Sequence, residues 1–339
     1  MDARKGTSMN APQVATRRRI MAGMRPSGKL HVGHWLGALK NFIALTRDND
    51  CFYEIADLHA LTTKFADSKT IAGDVREMAI DWLAAGLDPK ACTIYVQSRI
   101  PEISELAVLL SMITPVSWLE RVPTYKDQIN ALGSEIATHG FLGYPVLQTV
   151  DIIAFAGQGV PVGQDQLPHV ELCREIVRRF NHLYGDVLVE PEAVLSTTPA
   201  VPGLDGRKMS KSYDNSILLA DSEAQTTAKV KTMFTDPAKI HKTDPGHPEI
   251  CPVFFFHEIF NSVNAPDIAL RCRTGRLGCV EDKADMAQHL NRALAPLRER
   301  RRELESKPAY IEEVLADGTR RARATAQRTL TEVRAAIGL

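Results

Sequence analysis

The length, composition and charge of the chain restrict the classes of protein to which it could belong. With 339 residues, of which 44% are hydrophobic, the chain is long enough for two domains and a substantial core. Its 41 Lys and Arg residues balance 41 Asp and Glu residues, so net charge indicates no polyanionic partner, although a local basic patch could still bind one. The strongest apolar run, Leu106 to Ile113, is far shorter than the roughly 20 residues of a membrane-spanning helix, so no membrane protein is expected.

The N-terminal segment and the cysteines indicate in which cellular compartment the protein resides. Residues 1–19 lack the apolar core of a secretory signal, and Asp2 argues against an organellar transit peptide. We expect this segment to be a disordered leader. Six cysteines scattered through a chain of this size favour reduced thiols over a disulfide framework, which predicts a cytoplasmic protein.

From residue 20 to about residue 186, short β-prone runs alternate with helical patterns. We predict strands at 19–24, 51–56, 93–98 and 159–162, with helices between them such as 70–85 and 166–182. This alternation predicts an α/β fold, a Rossmann-like parallel sheet with helices on both faces. Ligands of such sheets bind at the carboxyl ends of the strands.

After Tyr213 the pattern becomes entirely helical. Helices are predicted at 222–234, 252–261, 283–305 and 308–337. We therefore divide the chain into an α/β domain at 20–215 and a helical domain at 216–339. The helical part is rich in arginine, at Arg298, Arg300 to Arg302, Arg320, Arg321, Arg323 and Arg328. Solvated helix faces explain most such runs, and a nucleic-acid surface is the alternative.

The stretch MRPSGKLHVGHWLGAL, residues 24–39, leads from the first strand through a turn into a helix. A helix start offers unpaired N–H groups and a positive dipole end, which suit a phosphate. Gly28 allows the tight turn, and Gly33 leaves room for a flat ligand against the backbone. His31 and His34 share one helix face and can donate hydrogen bonds to phosphate oxygens. A capped helix with two solvated histidines is the competing interpretation, and a metal site lacks nearby carboxylates or cysteines.

The stretch GLDGRKMSKSYDN, residues 203–215, places two lysines in a glycine-flanked loop. Together with HVGH at 31–34, it resembles the two signatures of class I aminoacyl-tRNA synthetases. From residue 20 onward the chain is similar to the bacterial tryptophanyl-tRNA synthetases. Further matching segments are IADLHALTT at 55–63, YPVLQTVDII at 144–153 and VPVGQDQ at 160–166.

The resemblance implies a two-step reaction, in which an amino acid is activated by ATP and then transferred to tRNA. No covalent enzyme intermediate is needed, so catalysis is positioning plus charge stabilisation. It implies catalytic roles for Lys208, Lys211, His31 and His34, with Mg²⁺ sharing the charge. The implied ATP-binding residues are Arg25, Pro26, Ser27, Gly33, His34, Gly163, Gln164, Asp165, Val201, Lys208, Met209, Ser210, Lys211 and Ser212.

The choice of amino acid depends on the segment 144–153. Tyr144, Gln148 and Asp151 are spaced for one helix face, and a buried Asp can accept a hydrogen bond from an indole N–H or from a phenol. Met21 favours tryptophan, since tyrosyl relatives carry a tyrosine at that position. The resemblance then implies that Asp151 binds the indole nitrogen, with Tyr144 and Gln148 near the amino group. His59 is a further candidate for substrate contact, or a satisfied helix-start histidine.

Three cysteines in the helical region raise a separate question. Some tryptophanyl-tRNA synthetases carry a four-cysteine [4Fe–4S] site here. This chain has Cys251, Cys272 and Cys279, with Asp282 at the fourth position. We expect three ordinary thiols and no cluster.

The resemblance implies L-tryptophan, ATP and tRNA(Trp) as partners of a homodimer. It also implies that residues 20–215 form the catalytic domain and that residues 216–339 form the tRNA (anticodon)-binding domain. Two alternatives stay open, a tyrosyl-tRNA synthetase and a non-catalytic relative that binds only nucleotide or RNA. A dinucleotide dehydrogenase is set aside because no G-x-G-x-x-G pattern follows the first strand.

Overall fold

The computed structural model of the protein describes residues 17–195 and 200–339. Five parallel strands form one sheet in the order β3-β2-β1-β4-β5. They are β1 (Arg19–Met24), β2 (Asp50–Ile55), β3 (Thr93–Val96), β4 (Gly159–Val162) and β5 (Glu192–Leu195). The first sixteen residues of the predicted leader lie outside the described residues.

Ten helices fall between the strands of the described chain. They are α1 (Val32–His34), which continues through a π-helical turn (Trp35–Leu39) into α2 (Lys40–Leu45), then α3 (Asp57–Lys64), α4 (Ile71–Ala84), α5 (Pro101–Ser111), α6 (Val116–Glu120), α7 (Pro123–Leu132), α8 (His139–Leu142), α9 (Tyr144–Ile153) and α10 (Leu167–Tyr184). After the lysine-containing loop come α11 (Glu223–Thr232), α12 (Pro252–Phe260), α13 (Ala265–Arg273), α14 (Cys279–Glu305) and α15 (Pro308–Ile337).

The predicted α/β fold with a helical C-terminal region is confirmed, and the four predicted strands are present with ends shifted by up to two residues. The strand that sequence reasoning missed is β5, EAVL. It lies at the edge of the sheet, and all four of its residues are half-buried or exposed. A short, partly exposed edge strand lacks the continuous apolar run that identifies the central strands.

Alternating residues of the strands point to two hydrophobic cores, one on each face of the sheet. Ile20 and Tyr53 belong to the first core, whereas Met21 and Phe52 belong to the second. The second face is covered by helices that include α9 and α10, and α9 contacts β1 directly. The first core extends through α4 and α14.

Helix α15 packs along β3 at the edge of the sheet and reaches both cores. Ile311 and Leu315 join the first core, while Ala326 and Leu330 join the second. The crossing is so close that a Cβ atom at Gly318 would lie 1.7 Å from the carbonyl oxygen of Ile94. The helical region therefore completes the core of the α/β region, and the division at residue 215 stays a prediction.

The arginine-rich run of α14 is only partly solvated. The Arg301 side chain is 3% exposed and forms ion pairs with Asp81, Glu77 and Glu305. The interpretation of this run as a solvated face is therefore wrong for Arg301, which is an internal cation. Arg302, the next residue, is exposed.

Candidate active site

The turn after β1 is fixed by a glycine and a buried aspartate. Gly28 has a φ of +79°, a conformation that L side chains rarely adopt. Asp81 of α4 is fully buried, and its Oδ2 accepts a hydrogen bond from the backbone N–H of Leu30 at 2.7 Å. The same carboxylate pairs with Arg301, so α4 and α14 together hold the chain just before α1.

The two histidines cap the helix reciprocally. His31 Nδ1 accepts from the backbone N–H of His34 at 3.2 Å, and His34 Nδ1 accepts from that of His31 at 3.3 Å. The rings stack with centroids 3.6 Å apart. Because each Nδ1 is an acceptor, a neutral ring carries its proton on Nε2 and remains a hydrogen-bond donor there.

Burial is the main reason that both rings stay neutral. It lowers the pKa of His31 to about 4, with Lys211 contributing, and that of His34 to about 3, with His31, Lys211 and Lys208 contributing. The predicted shared face is confirmed. The helix is also capped, as in the competing interpretation, but His31 is buried and not solvated.

Gly33 lies between the capping pair and the lysine loop. A Cβ atom there would approach His31 Nδ1 to 2.9 Å and the Met209 Cβ to 3.4 Å. Met209 is itself buried, and its N–H donates to the carbonyl of Val201 at 2.8 Å. The glycine thus lets the histidine ring and the loop methionine approach the helix backbone.

The loop 203–215 is organised by the buried side chain of Asn215. Its Oδ1 accepts from the Ser210 N–H at 2.8 Å, and its Nδ2 donates to Asp205 at 2.7 Å and to the Lys208 carbonyl at 3.2 Å. Ser210 Oγ in turn accepts from the Ser212 N–H. One amide therefore fixes the backbone that presents both lysines.

Backbone pairing brings this loop to the helix start. The N–H of Val32 donates to the Ile217 carbonyl at 2.9 Å, and the N–H of Leu219 donates to the Leu30 carbonyl at 2.8 Å. Lys211 Nζ donates to the carbonyls of Ser27 and Lys29, the latter at 2.9 Å. The two sequence signatures, far apart in the chain, thus form one structural unit at the carboxyl end of β1.

A cavity of about 420 Å³ opens beside this unit, at the carboxyl ends of β1, β2 and β4. Several predicted site residues line it, namely Met21, Arg25, His59, Tyr144, Gln148, Asp151 and Gly163. Gln164 and Asp165 are exposed in the turn after Gly163, and Lys208 and Ser212 are exposed on the loop. Pro26 is buried within the turn, and Ser27 is exposed there.

Asp151 lies on the buried side of the cavity, and neighbouring side chains hold both of its carboxylate oxygens in place. Its Oδ2 is 2.8 Å from His59 Nε2, and its Oδ1 accepts from Gln97 Nε2 at 2.8 Å. Gln97 Oε1 accepts hydrogen bonds from the backbone N–H groups of Leu58 and His59, which fixes the orientation of the glutamine side chain. Sequence reasoning identified Asp151 and His59 but missed Gln97, which follows directly after β3.

Tyr144 and Gln148 lie on the cavity side of α9, as their spacing predicts. The Tyr144 hydroxyl is 3.2 Å from His169 Nε2, and its ring stacks on Phe141 with centroids 5.4 Å apart. His169 was also missed, because a histidine in the first turn of α10 carries no signal of its own in the sequence.

No three His, Cys, Asp or Glu side chains converge on a possible metal position within residues 17–195 and 200–339. Burial raises the pKa of the Cys251 thiol to about 11 and also raises that of Cys272, which disfavours the thiolate needed for ligation. That Cys251, Cys272 and Cys279 are ordinary thiols stays a prediction. In the described part of the chain, no helix combines the length and the apolar character needed to cross a bilayer.

Comparison with known proteins identifies the family of this chain. A family profile described as "tRNA synthetases class I (W and Y)" matches residues 14–295. A tryptophan–tRNA ligase of Thermotoga maritima is 47% identical over 325 residues, which covers 95% of this chain and 99% of the relative. That of Aquifex aeolicus is 44% identical and covers 95% of this chain and 100% of the relative.

Solved structures show the same relationship. The tryptophanyl-tRNA synthetase of Campylobacter jejuni, in complex with ADP and tryptophan, has a TM-score of 0.87 at 33% identity and covers 95% of this chain and 100% of that one. A tyrosyl-tRNA synthetase of Archaeoglobus fulgidus has a TM-score of 0.65 at 21% identity, which shows a common fold alone. Since relatives that cover nearly the whole chain at 44% and 47% identity are tryptophan–tRNA ligases, the chain belongs to the class I tRNA synthetases and, within them, to the tryptophan–tRNA ligases.

Proposed function

We propose that the cavity and the lysine loop together catalyse ATP-dependent activation of L-tryptophan and its transfer to the 3′ end of tRNA(Trp). The observation that carries this assignment is the placement of Lys211 against the turn before α1, beside a cavity that contains Asp151. A phosphate-binding element and an amino-acid pocket thus adjoin, as an adenylating enzyme requires.

In the first step, a carboxylate oxygen of tryptophan attacks the α-phosphorus of ATP, and the bond from that phosphorus to the pyrophosphate oxygen breaks. Lys208 and Lys211 stabilise the negative charge that develops on pyrophosphate. His31 and His34 donate from Nε2 to phosphate oxygens, while the exposed turn 163–165 and Arg25 line the nucleotide side. In the second step, a terminal ribose hydroxyl of the tRNA attacks the carbonyl carbon and releases AMP.

Magnesium belongs to this proposal as part of the substrate. The described residues provide no converging set of three ligands, so we assign Mg²⁺ to the phosphate oxygens of the incoming ATP, its usual environment in such sites. The lysines and histidines named above bind and orient the phosphate groups of the nucleotide.

Asp151 accepts the indole N–H in this proposal, with Met21 against the ring and Tyr144 and Gln148 toward the amino group. We expect Asp151→Ala to weaken tryptophan binding by about tenfold or more, because a buried charged acceptor is lost. Equilibrium binding of tryptophan measures this. Gln164→Ala, on the nucleotide side, is the control, and equal tryptophan affinity in the two variants would contradict the role of Asp151.

The larger assembly is also part of the proposal. We infer that residues 216–339 contact tRNA, through exposed arginines such as Arg302 and Arg328. A homodimer is supported by Val108, Met112 and Val116, which are 55%, 74% and 57% exposed around the end of α5. All six cysteines are unpaired, which supports a cytoplasmic location.

Amino-acid-dependent ATP–pyrophosphate exchange tests the function, run in parallel with tryptophan, tyrosine and phenylalanine. Exchange with tryptophan alone is the expected result. Exchange with tyrosine would overturn the assignment of Met21 and Asp151. The absence of exchange with all three, in a folded protein with Mg²⁺ present, would favour the non-catalytic relative.

A further inference from the structure

The floor of the amino-acid cavity contains a second buried carboxyl group, Glu54. Strand register places Gly23 of β1 opposite Glu54 of β2, and Glu54 opposite Tyr95 of β3. The Glu54 and Tyr95 side chains lie on the second face of the sheet, since Glu54 follows Phe52 by two residues and Tyr95 belongs to the second core. A Cβ atom at Gly23 would be 3.3 Å from Glu54 Oε1, so the glycine leaves room for this carboxyl group.

Glu54 is isolated from solvent but not from other polar groups. It is 1% exposed, and the Tyr95 hydroxyl donates to its Oε2 at 3.0 Å. Glu54 and Asp151, which is 3% exposed, both line the cavity, and their side chains lie close enough for a hydrogen bond between the two carboxyl groups. A hydrogen bond between two carboxyl groups requires that one of them carry a proton.

The surroundings of Glu54 indicate that it is the partner that carries the proton. The titratable groups that face it are Tyr95 from β3, Asp151 from α9 and Asp57 from the start of α3. Burial raises the pKa of Glu54 well above its usual range, and the negative charge of Asp151 raises it further. Asp151, in contrast, has donors on both oxygens, namely His59 and Gln97.

We propose that Glu54 is a positioning residue for substrate recognition: in its protonated form it donates a hydrogen bond to Asp151 and thereby orients the acceptor for the indole N–H. A carboxylate offers about four lone-pair positions. Gln97, His59 and Glu54 occupy three, which leaves one for the ring N–H of the substrate. Glu54 thus contributes to the selection of the amino acid by the site, although it does not touch the reacting atoms.

This inference rests on the proposed binding of tryptophan by Asp151, and the experiment separates the two. Wild-type protein is first titrated with tryptophan and with an analogue in which sulfur replaces the indole N–H, 3-benzothienylalanine. If the wild type binds neither or does not distinguish them, the proposed role of Asp151 fails before Glu54 is tested. Preference for tryptophan allows the variants to be compared.

Two variants then test Glu54, with unfolding transitions measured for each. Glu54→Gln keeps a donor, the amide N–H, and should bind tryptophan within about threefold of the wild type. Glu54→Met removes the donor at similar volume and should weaken tryptophan binding about 10-fold to 100-fold while changing affinity for the sulfur analogue much less. Tyr95→Phe, which keeps the proton on Glu54, is the matched control and should retain the preference.

Rescue by glutamine together with selective loss in Glu54→Met would support the proposal. Either of two results would overturn it: a folded Glu54→Met protein with the wild-type preference, or a folded Glu54→Gln protein that loses that preference by tenfold or more. The result for Glu54→Gln would overturn the proposal even when Glu54→Met does not fold.

Discussion

At the residue scale, the loop lysines have unequal environments. Lys211 reaches the turn carbonyls of Ser27 and Lys29 and is partly buried, which lowers its pKa, whereas Lys208 is exposed. Both lower the pKa of His34, so both lie close to the helix start. Their charge is therefore concentrated where a triphosphate would meet α1.

We expect Lys211→Ala to lower the rate of tryptophan-dependent pyrophosphate exchange about 10²-fold to 10³-fold, the usual loss when one donor to a developing negative charge is removed. Tryptophan binding should be retained, because Lys211 does not line the amino-acid cavity. Lys90→Ala, an exposed lysine before the amino end of β3, is the control. If tryptophan affinity fell as steeply as the rate, this division of roles would be wrong.

Residues that were missed show the limit of sequence reasoning at this scale. Glu54 and Gln97 lie within or directly after buried, apolar strands, where a polar residue has no periodic signal. Their roles depend on Asp151, which is more than fifty residues away in sequence. Asp151 and Lys211, in contrast, stand in segments that resemble a family, and their individual roles stay proposals.

At the scale of elements, the start of α1 combines a reciprocal histidine cap with two neighbouring cations. The fold keeps His31 and His34 neutral, with pKa values lowered to about 4 and about 3. In the unfolded chain both would titrate near pH 6.5. Between these values the unfolded state binds more protons, so the free energy of unfolding falls as pH decreases.

We expect His34→Asn to reduce this acid sensitivity. The wild type should lose about 1–2 kcal/mol more than the variant between pH 7.5 and pH 5, as linkage for one partly exposed histidine implies. Urea unfolding at the two pH values measures the difference. His289→Asn, a half-buried histidine of α14, is the comparison, and parallel pH curves for wild type and His34→Asn would contradict the explanation.

The contact between α15 and β3 depends on one glycine. A methyl group at Gly318 would collide with the Ile94 carbonyl oxygen, and neither backbone can move without disturbing the core. We expect Gly318→Ala to lower the free energy of unfolding by about 1–3 kcal/mol or more. Gly73→Ala in α4 meets nothing within 4 Å and should be neutral or slightly stabilising. Equal effects in the two variants, measured by urea unfolding, would refute the close contact.

At the scale of the whole molecule, one buried ion-pair network joins the helical region to the active-site turn. Arg301 of α14 pairs with Asp81 of α4, which holds the Leu30 N–H before the histidine cap. Burial raises the pKa of Asp81 to about 6 even beside this arginine. The carboxylate would therefore be strongly disfavoured without its partner.

We expect Arg301→Met to destabilise the protein by about 3–5 kcal/mol, because it leaves the buried carboxylate of Asp81 uncompensated. Loss of the arginine raises the pKa of Asp81 further, so protonation of Asp81 should offset part of the loss of stability as the pH falls. The defect should therefore be larger at pH 8 than at pH 5.5. Arg302→Met, the adjacent exposed arginine, is the matched control. A stability within 1 kcal/mol of that control at pH 8 would show that the pair contributes little.

The arrangement of the helical region was the least predictable part of the fold. Periodicity identified four of the five helices of residues 216–339 and missed the short α13. Periodicity could not show that α15 packs on β3, since the apolar face of a helix can be buried against any apolar surface. Strand β5 was also hidden, because it is short and partly exposed.

The position of α15 has a consequence for biosynthesis. Arg321 donates to the Thr93 hydroxyl across 228 residues of sequence, and the surrounding contacts have similar separations. At the usual elongation rate of about 5–20 residues per second, β3 leaves the ribosome roughly 10–45 s before the helix that covers it. During that interval the nascent chain carries an uncovered strand edge, which is prone to aggregation. Completion of the catalytic sheet is therefore a late event, and a chain interrupted before residue 308 would expose this edge to chaperones and proteases.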